Sequence, residues 1–271
     1  SDLIDRPAFP ADRVDYGAVI PWKLTILDRA YYRFQSTAET NLFTEFTHFC
    51  ESQSFWIDDF ALFMAIKESF GGGSWESWPD EFRMRKRTVL AAFSEQEKER
   101  IEKHKFRQFL FFRQWSALKD YANGKEIQII GDIPIFISND SADAWSHPEL
   151  FHFNRQRKPT VIAGVPPDYF SPTGQLWGNP LYKWAEHEKQ GYSWWIQRMK
   201  ATLKMVDVVR LDHFRGFAGY WEIPYGNPTA EIGRWVKGPG ADLFHAIRNA
   251  LGDLPIIAED LGVITPDVVE L

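Results

Sequence analysis

Three carboxylates stand at the ends of short apolar runs: Asp132 in Ile-Gly-Asp-Ile-Pro, Asp212 in Val-Val-Arg-Leu-Asp-His-Phe-Arg-Gly, and Glu259 in Ile-Ile-Ala-Glu-Asp-Leu-Gly. A carboxylate that closes a β-branched apolar run sits where a buried strand meets a polar loop, and in parallel α/β barrels that end of the strands surrounds the active site. Arg210 lies two residues before Asp212, so the two side chains share one side of their strand. A guanidinium beside Asp212 is expected to keep it ionised, as a nucleophile requires, while the drier setting of Glu259 after Ile256-Ile257-Ala258 is expected to raise its pKa toward general-acid duty. One ionised and one protonated carboxyl is the arrangement of glycosidic-bond chemistry. The plain alternative is that such acids cap the next helix or pair with a neighbouring cation, and Asp207 and Asp260 are candidates for that lesser role.

The elements needed to hold these groups can be read from periodicity. The stretch up to about Gly73 reads as helical, with apolar residues from Asn41 to Ser69 at three- and four-residue spacings and a stop at Gly71-Gly72-Gly73. A second long helix is predicted from Ser94, where Ser94 and Glu97 form a capping-box pattern, to Asn123-Gly124. Strands follow at Glu126 to Ile137, Val206 to Asp212 and Leu254 to Glu259, alternating with helices at Ser193 to Met205, Ala241 to Leu251 and from Thr265-Pro266. The segments from Asn139 to Tyr192 and from His213 to Pro239 read as irregular, rich in Pro, Gly and aromatics, and at that length as functional loops. This βα alternation implies an α/β fold with a parallel sheet whose long loops follow the strand C-termini. The expected division is a mainly helical subdomain over residues 1–124 and the sheet over 125–271.

Composition narrows the function classes. The chain has 271 residues, a net charge of −6 and no Lys/Arg-rich run, which argues against a reader of nucleic-acid phosphates. No apolar run approaches the roughly 18 residues of a membrane span, so no membrane partner is expected. Ser1-Asp2-Leu3-Ile4-Asp5 lacks an initiator Met and the features of a signal peptide, and the one cysteine, Cys50, suits a reducing compartment. The seven His show no zinc spacing: His147 and His152 are five apart, His187-Glu188 has no following His, and Cys50 stands with His48 alone. Neither Gly71-Gly72-Gly73 nor Gly238-Pro239-Gly240 has the setting of a phosphate loop. No metal and no cofactor is therefore expected. The unusual figure is the aromatic content, 12 Trp, 9 Tyr and 22 Phe, since flat apolar rings with polar edges are what a sugar cleft uses. Trp194, Trp195 and the Phe106 to Trp115 group have helical spacing and read as core. Tyr169, Phe170, Trp177, Trp221 and Trp235 lie in irregular segments and read as exposed.

Three long motifs carry a resemblance. Val209-Arg-Leu-Asp212-His-Phe-Arg-Gly-Phe217, Ile257-Ala-Glu259-Asp-Leu-Gly-Val-Ile-Thr-Pro266 and Gly164-Val-Pro-Pro-Asp168-Tyr-Phe-Ser-Pro-Thr-Gly-Gln-Leu-Trp177-Gly-Asn-Pro180 closely resemble the amylomaltases. These are the 4-α-glucanotransferases, or disproportionating enzymes, of glycoside hydrolase family 77. Val14-Asp-Tyr, Gly131-Asp132-Ile-Pro, Asp140-Ser-Ala-Asp-Ala-Trp145, Tyr220-Trp-Glu-Ile-Pro224 and Gly233-Arg-Trp-Val-Lys237 extend the resemblance over essentially the whole chain. It implies a partial (β/α)₈ barrel with an inserted or flanking helical subdomain, and a retaining transfer of 1,4-α-glucan segments to an acceptor 4-hydroxyl. Asp212 matches the nucleophile and Glu259 the acid/base, with carboxyl groups expected about 5–5.5 Å apart. Arg210 and His213 match residues flanking the nucleophile, Asp132 a strand-end acid of the same site, and Asp168, Tyr169, Phe170 and Trp177 an acceptor-side loop. The partners implied are maltooligosaccharides or other α-1,4-glucans, and the location implied is cytoplasmic, or plastid in a plant or alga; the oligomeric state is left open.

The family's third catalytic carboxylate belongs to a Thr-His-Asp-Asn motif downstream of the acid/base, and no such motif occurs here, the chain ending twelve residues after Glu259. The sequence therefore reads as an internal portion of an amylomaltase. An α-amylase-type hydrolase and a non-catalytic glucan-binding fragment are the competing readings, the first distinguished by release of glucose without a ladder of longer products. We expect the purified 271-residue chain to lack normal transferase activity; wild-type disproportionation of maltotriose by that chain would contradict this.

Overall fold

The computed structural model describes residues 7–37, 40–261 and 264–271, with the side chain of Thr40 also excepted. Ser1 to Asp5, and Gly262 and Val263 of the Ile257 to Pro266 motif, lie outside the described residues. The helices of the first half are α1 (Tyr16–Ser36), α2 (Thr40–Ser52), α3 (Ile57–Ser69), α4 (Asp80–Arg83), α5 (Arg87–Gln96) and α6 (Lys98–Asn123). Asp15 starts α1 by accepting from the Ala18 amide, which satisfies one orphan donor of the first turn.

The apolar run from Asn41 to Ser69 divides into two helices. The chain turns over residues 53–56, where the Trp56 indole N–H donates to Gln53 Oε1 at 3.2 Å, and re-enters a helix at the fully buried Ile57. Gly71 and Gly72, at φ +69° and +81°, end α3 as expected. The capping-box reading of Ser94 is corrected. Ser94 lies inside α5, and Glu97, the residue before α6, makes no side-chain cap bond; it pairs with Arg100 at 3.3 Å instead. The Ser-x-x-Glu spacing is also that of two neighbours on one helix face, so spacing alone could not place the start. Rings of Tyr31, Phe34, Phe46, Phe106 and Phe109 form the core between α1, α2 and α6.

After α6 come β1 (Ile130–Pro134), α7 (Ala142–Ser146), β2 (Val161–Val165), β3 (Gln175–Pro180), α8 (Trp184–Lys189), α9 (Ser193–Met205), β4 (Val208–Asp212), β5 (Gly219–Pro224), β6 (Arg234–Lys237), α10 (Ala241–Leu251), β7 (Ile256–Ala258) and α11 (Pro266–Glu270). The fold is α/β, and β1, β4 and β7 form the expected parallel sheet in the order β1-β4-β7. The largest core packs Ile133, Val209 and Leu211 of that sheet with Trp195 and Met199 of α9 and Leu243 and Ile247 of α10. Asp207 takes the lesser role, its carboxylate accepting from the Ile129 amide and Asn123 Nδ2, both at 2.8 Å.

The two segments read as irregular contain a second sheet. Strands β2, β3, β5 and β6 pair antiparallel in the order β3-β2-β5-β6. They are four to six residues long, and a bulge between Ile162 and Gly164 breaks the side-chain alternation of β2, so no period of two accumulates. Gly164 admits the neighbouring strand: a Cβ there would stand 2.3 Å from the Gln175 carbonyl oxygen. Trp221 is corrected too, because it packs against the Ile162, Ile223 and Ala230 cluster and its indole donates to the Ala230 carbonyl at 2.9 Å. No helix among the described residues is long and apolar enough to cross a membrane.

Two outcomes follow from this packing. Gly164→Ala should cost about 1–3 kcal/mol, since its shortest clash is with the Gln175 backbone, which cannot swing away as the Ile223 side chain can; urea unfolding measures it, and an unchanged midpoint would contradict the close approach. His187 lies 1% exposed against Tyr182, Trp184 and Trp194, and burial pushes its imidazole down to about 4. A depressed folded pKa gives stability that is present above the unfolded value near 6.5 and lost as pH falls toward 4, on the order of 3 kcal/mol. His187→Phe should flatten that part of the pH–stability curve; an identical acid slope would contradict it.

Candidate active site

Arg210 on β4 is paired in register with Asp132 on β1 and with Ile257 on β7. Neighbours in register share a face of the sheet, which lets one guanidinium reach acids carried by all three strands or their ends. Its Nη1 donates to both Asp132 oxygens, at 2.7 and 2.8 Å, and to Asp212 Oδ1 at 3.1 Å. Its Nη2 donates to Glu259 Oε1 at 2.7 Å. Glu259 follows the last residue of β7, and its backbone N–H donates to the Leu211 carbonyl at 3.1 Å, tying the end of β7 to β4.

The second Glu259 oxygen is held by the backbone of the next turn. His213 adopts φ +52°, a left-handed conformation uncommon for a residue with a side chain, and its N–H donates to Glu259 Oε2 at 2.6 Å. The imidazole stands edge-on to Trp177, with centroids 4.7 Å apart. Burial pushes its pKa down to about 4, so the ring is neutral near pH 7. Gly216 makes room beneath it: a Cβ there would meet Ile135 Cδ1 at 2.8 Å and His213 Cδ2 at 2.9 Å. Sequence reasoning missed this packing role, although Gly216 stands inside the His-Phe-Arg-Gly motif.

Side-chain exposure falls from 60% at Asp132 and 41% at Asp212 to 12% at Glu259. Glu259 is thus the drier acid, as expected, but the electrostatics differ from the sequence expectation. Burial, followed by the neighbouring Glu259 carboxyl, raises the pKa of Asp212, and Arg210 only opposes that rise. The reason is that Arg210 is divided among three acids, with Asp212 taking the longest of its bonds. The hydrogen bond to Asp132 is also the main influence raising the pKa of Arg210 itself, although burial opposes it.

The loop residues divide. Trp177 joins the site through His213. Asp168 does not: its Oδ1 accepts from the amides of Phe170 at 2.9 Å and Ser171 at 2.7 Å, shaping its own turn. That turn holds Tyr169 and Phe170 almost wholly exposed, 96% and 90%, edge to face at 5.6 Å; among the described residues neither ring touches the carboxylates. Trp235 is half exposed as expected, its ring lying under the Arg215 guanidinium at 4.1 Å. Among the described residues no three His, Cys, Asp or Glu side chains are placed to hold a metal ion; the acids converge on a guanidinium.

A family model described as 4-alpha-glucanotransferase matches residues 2–271. The chain belongs to glycoside hydrolase family 77. It is 49% identical to a 4-alpha-glucanotransferase of Thermus thermophilus over 265 residues, covering 98% of this chain and 53% of that protein. It is 48% identical to one from Synechocystis over 269 residues, again covering 98% and 53%. A solved amylomaltase from Streptococcus agalactiae, in complex with acarbose, superposes with a TM-score of 0.92 at 42% identity, over 98% of this chain and 54% of that one. The chain thus spans about half the length of the family 77 relatives it matches.

The division of Arg210 gives a measurable consequence. Arg210→Met leaves three neighbouring carboxyls without their shared cation, so their ionisation adds uncompensated repulsion to the folded state. That repulsion is absent where the carboxyls are protonated and grows as pH rises through the carboxylate range. The variant should therefore lose about 1–3 kcal/mol at pH 7, the partly exposed setting moderating the cost, and less at pH 4.5. Equal losses at both pH values would contradict the shared-cation account.

Proposed function

We propose that this chain carries the nucleophile and the acid/base of a 4-α-glucanotransferase, and that it transfers 1,4-α-glucan segments between maltooligosaccharides by a retaining double displacement when joined to the remaining catalytic elements. The observation that carries the reading is the convergence of Asp212 and Glu259 from adjacent strand ends on one guanidinium, in a chain of family 77.

The Asp212 carboxylate attacks the anomeric carbon while Glu259 protonates the departing glycosidic oxygen, leaving a glycosyl ester on Asp212. Glu259 then takes the proton of the acceptor 4-hydroxyl, and that oxygen displaces Asp212, restoring the original anomeric configuration. Burial and the neighbouring Glu259 carboxyl both raise the pKa of Asp212, whereas the reaction needs Asp212 ionised and a proton on Glu259. A glucan entering the site must leave that proton on Glu259, which requires its bonds to Arg210 and the His213 amide to yield to the glycosidic oxygen. Asp132 anchors Arg210 so that the guanidinium stays in place during that exchange. The neutral His213 and Trp177 form one wall, and Asp168 shapes the turn that presents Tyr169 and Phe170 to an acceptor glucan, favouring sugar over water.

In this reading residues 125–271 are central strands of a (β/α)₈ barrel and residues 1–124 a helical subdomain inserted in or flanking it. The exposed apolar side chains of Ile130 on β1 and Ile257 on β7, the two edge strands of the parallel sheet, support a sheet that continues on both sides. In a protein of the relatives' length that carries this chain, Asp212→Asn should lower disproportionation of maltotriose by roughly 10³-fold or more, with product ladders as the readout. Undiminished ladders would remove Asp212 from the nucleophile role, and glucose release without longer products from the unmutated protein would favour a hydrolase.

A further inference from the structure

A well-formed cavity in the described structure lies away from the carboxylates. It is a groove of about 680 Å³ between α3 and α6 on one side and α7 and α9 on the other, within the size range of small-molecule sites. Its walls are aromatic, with Phe55, Trp56, Phe111, Phe112 and Trp194 lining it. Phe55 and Phe111 are 39% and 46% exposed.

The charged groups in this groove are already engaged. Arg198 donates to the carbonyls of Pro134 and Ile135 and to the Tyr182 hydroxyl, and Asp143 accepts from the Trp194 indole at 3.0 Å. Asp59 pairs with Arg85 at 2.6 Å and His147 with Glu149 at 3.6 Å. The polar groups left to face a ligand include the Ser193 hydroxyl and the neutral side-chain amides of Gln108, Gln190 and Gln197, whose side chains make no hydrogen bond to another described residue. A primary amide offers two donors and an acceptor with no net charge. Aromatic faces beside unspent amides suit a ligand with apolar C–H faces and a rim of hydroxyls; the absence of an unspent cation on the lining disfavours an anion, and the amides disfavour a lipid chain.

From this geometry we propose that the groove between α6 and α9 is a second, non-catalytic saccharide site that takes a short stretch of neutral glucan, its rings stacked on Trp56 and Trp194 and its hydroxyls bonded to Gln108 and Gln197. The choice of an α-1,4-glucan as probe rests on the reading given above for the carboxylate site, but the groove's own chemistry does not. Occupancy there would hold a polymer against the helical half of the chain while another stretch lies at Asp212 and Glu259, raising its effective concentration at the carboxylates.

The test is a titration of the full chain with maltoheptaose, followed through assigned tryptophan indole N–H resonances. Trp56 and Trp194 report the groove and Trp177 the carboxylate site. The expected result is saturable shifts at Trp56 and Trp194, with affinity at least tenfold weaker in Gln108→Ala/Gln197→Ala while the Trp177 response is retained. Ala201→Trp, which fills the groove, should abolish the shifts and serves as an independent variant should the double substitution not fold. Shifts at Trp177 alone, no shifts at all, or groove shifts unaffected by the substitutions would each overturn the proposal. Groove shifts without a Trp177 response would uphold it and count against the carboxylate-site reading instead.

Discussion

One guanidinium holds this site together. The bonds from Arg210 to Asp132, Asp212 and Glu259 join groups carried by three neighbouring parallel strands or their ends, so the geometry of the acids is as well defined as the register of the sheet. Without that cation three carboxyls on one face would repel each other and at least one would have to stay protonated. Being shared, the same cation leaves Asp212 incompletely compensated, and burial beside Glu259 raises its pKa.

The surrounding structure serves that arrangement at short range. The left-handed turn at His213 aims a backbone N–H at Glu259, and Gly216, Ile135 and Trp177 leave the imidazole one place to sit. The second sheet carries Trp177 on β3 and the half-buried Trp221 on β5, and its edge is fixed by the approach of Gly164 to the Gln175 carbonyl. The aromatic excess consequently divides into three uses. Some rings are core, such as Trp195 and Phe109; Trp177 packs on His213 beside the carboxylates, while Tyr169 and Phe170 stand exposed on their turn; and some line the groove between α6 and α9.

What was legible in the sequence follows the physics of each signal. The strand-end positions of Asp212 and Glu259 could be read because each closes a β-branched apolar run, whereas Asp132, read the same way, lies in the middle of β1 with Ile133 and Pro134 still in the strand. The same-face placement of Arg210 and Asp212 followed from strand geometry alone. The register that sets Asp132 against Arg210 could not be read, since pairing between strands 78 residues apart leaves no local pattern. The second sheet was hidden by strands of four to six residues, broken by a bulge and by Pro and Gly. The capping pattern at Ser94 misled because a cap and a helix-face pair have the same spacing. The direction of the Asp212 shift was misjudged because the sequence shows one Arg beside one Asp and not the two other acids that share the cation.

The proposed assignment makes Asp212 the nucleophile and Glu259 the acid/base of one retaining transfer. It is tested most directly by trapping the intermediate with 5-fluoro-maltosyl fluoride in a protein of the relatives' length that carries this chain, followed by peptide mass spectrometry. The account predicts one covalent glycosyl adduct, located on Asp212 and lost after prolonged incubation with maltose as acceptor. An adduct on any other residue, or turnover of the reagent to product of inverted anomeric configuration, would contradict it.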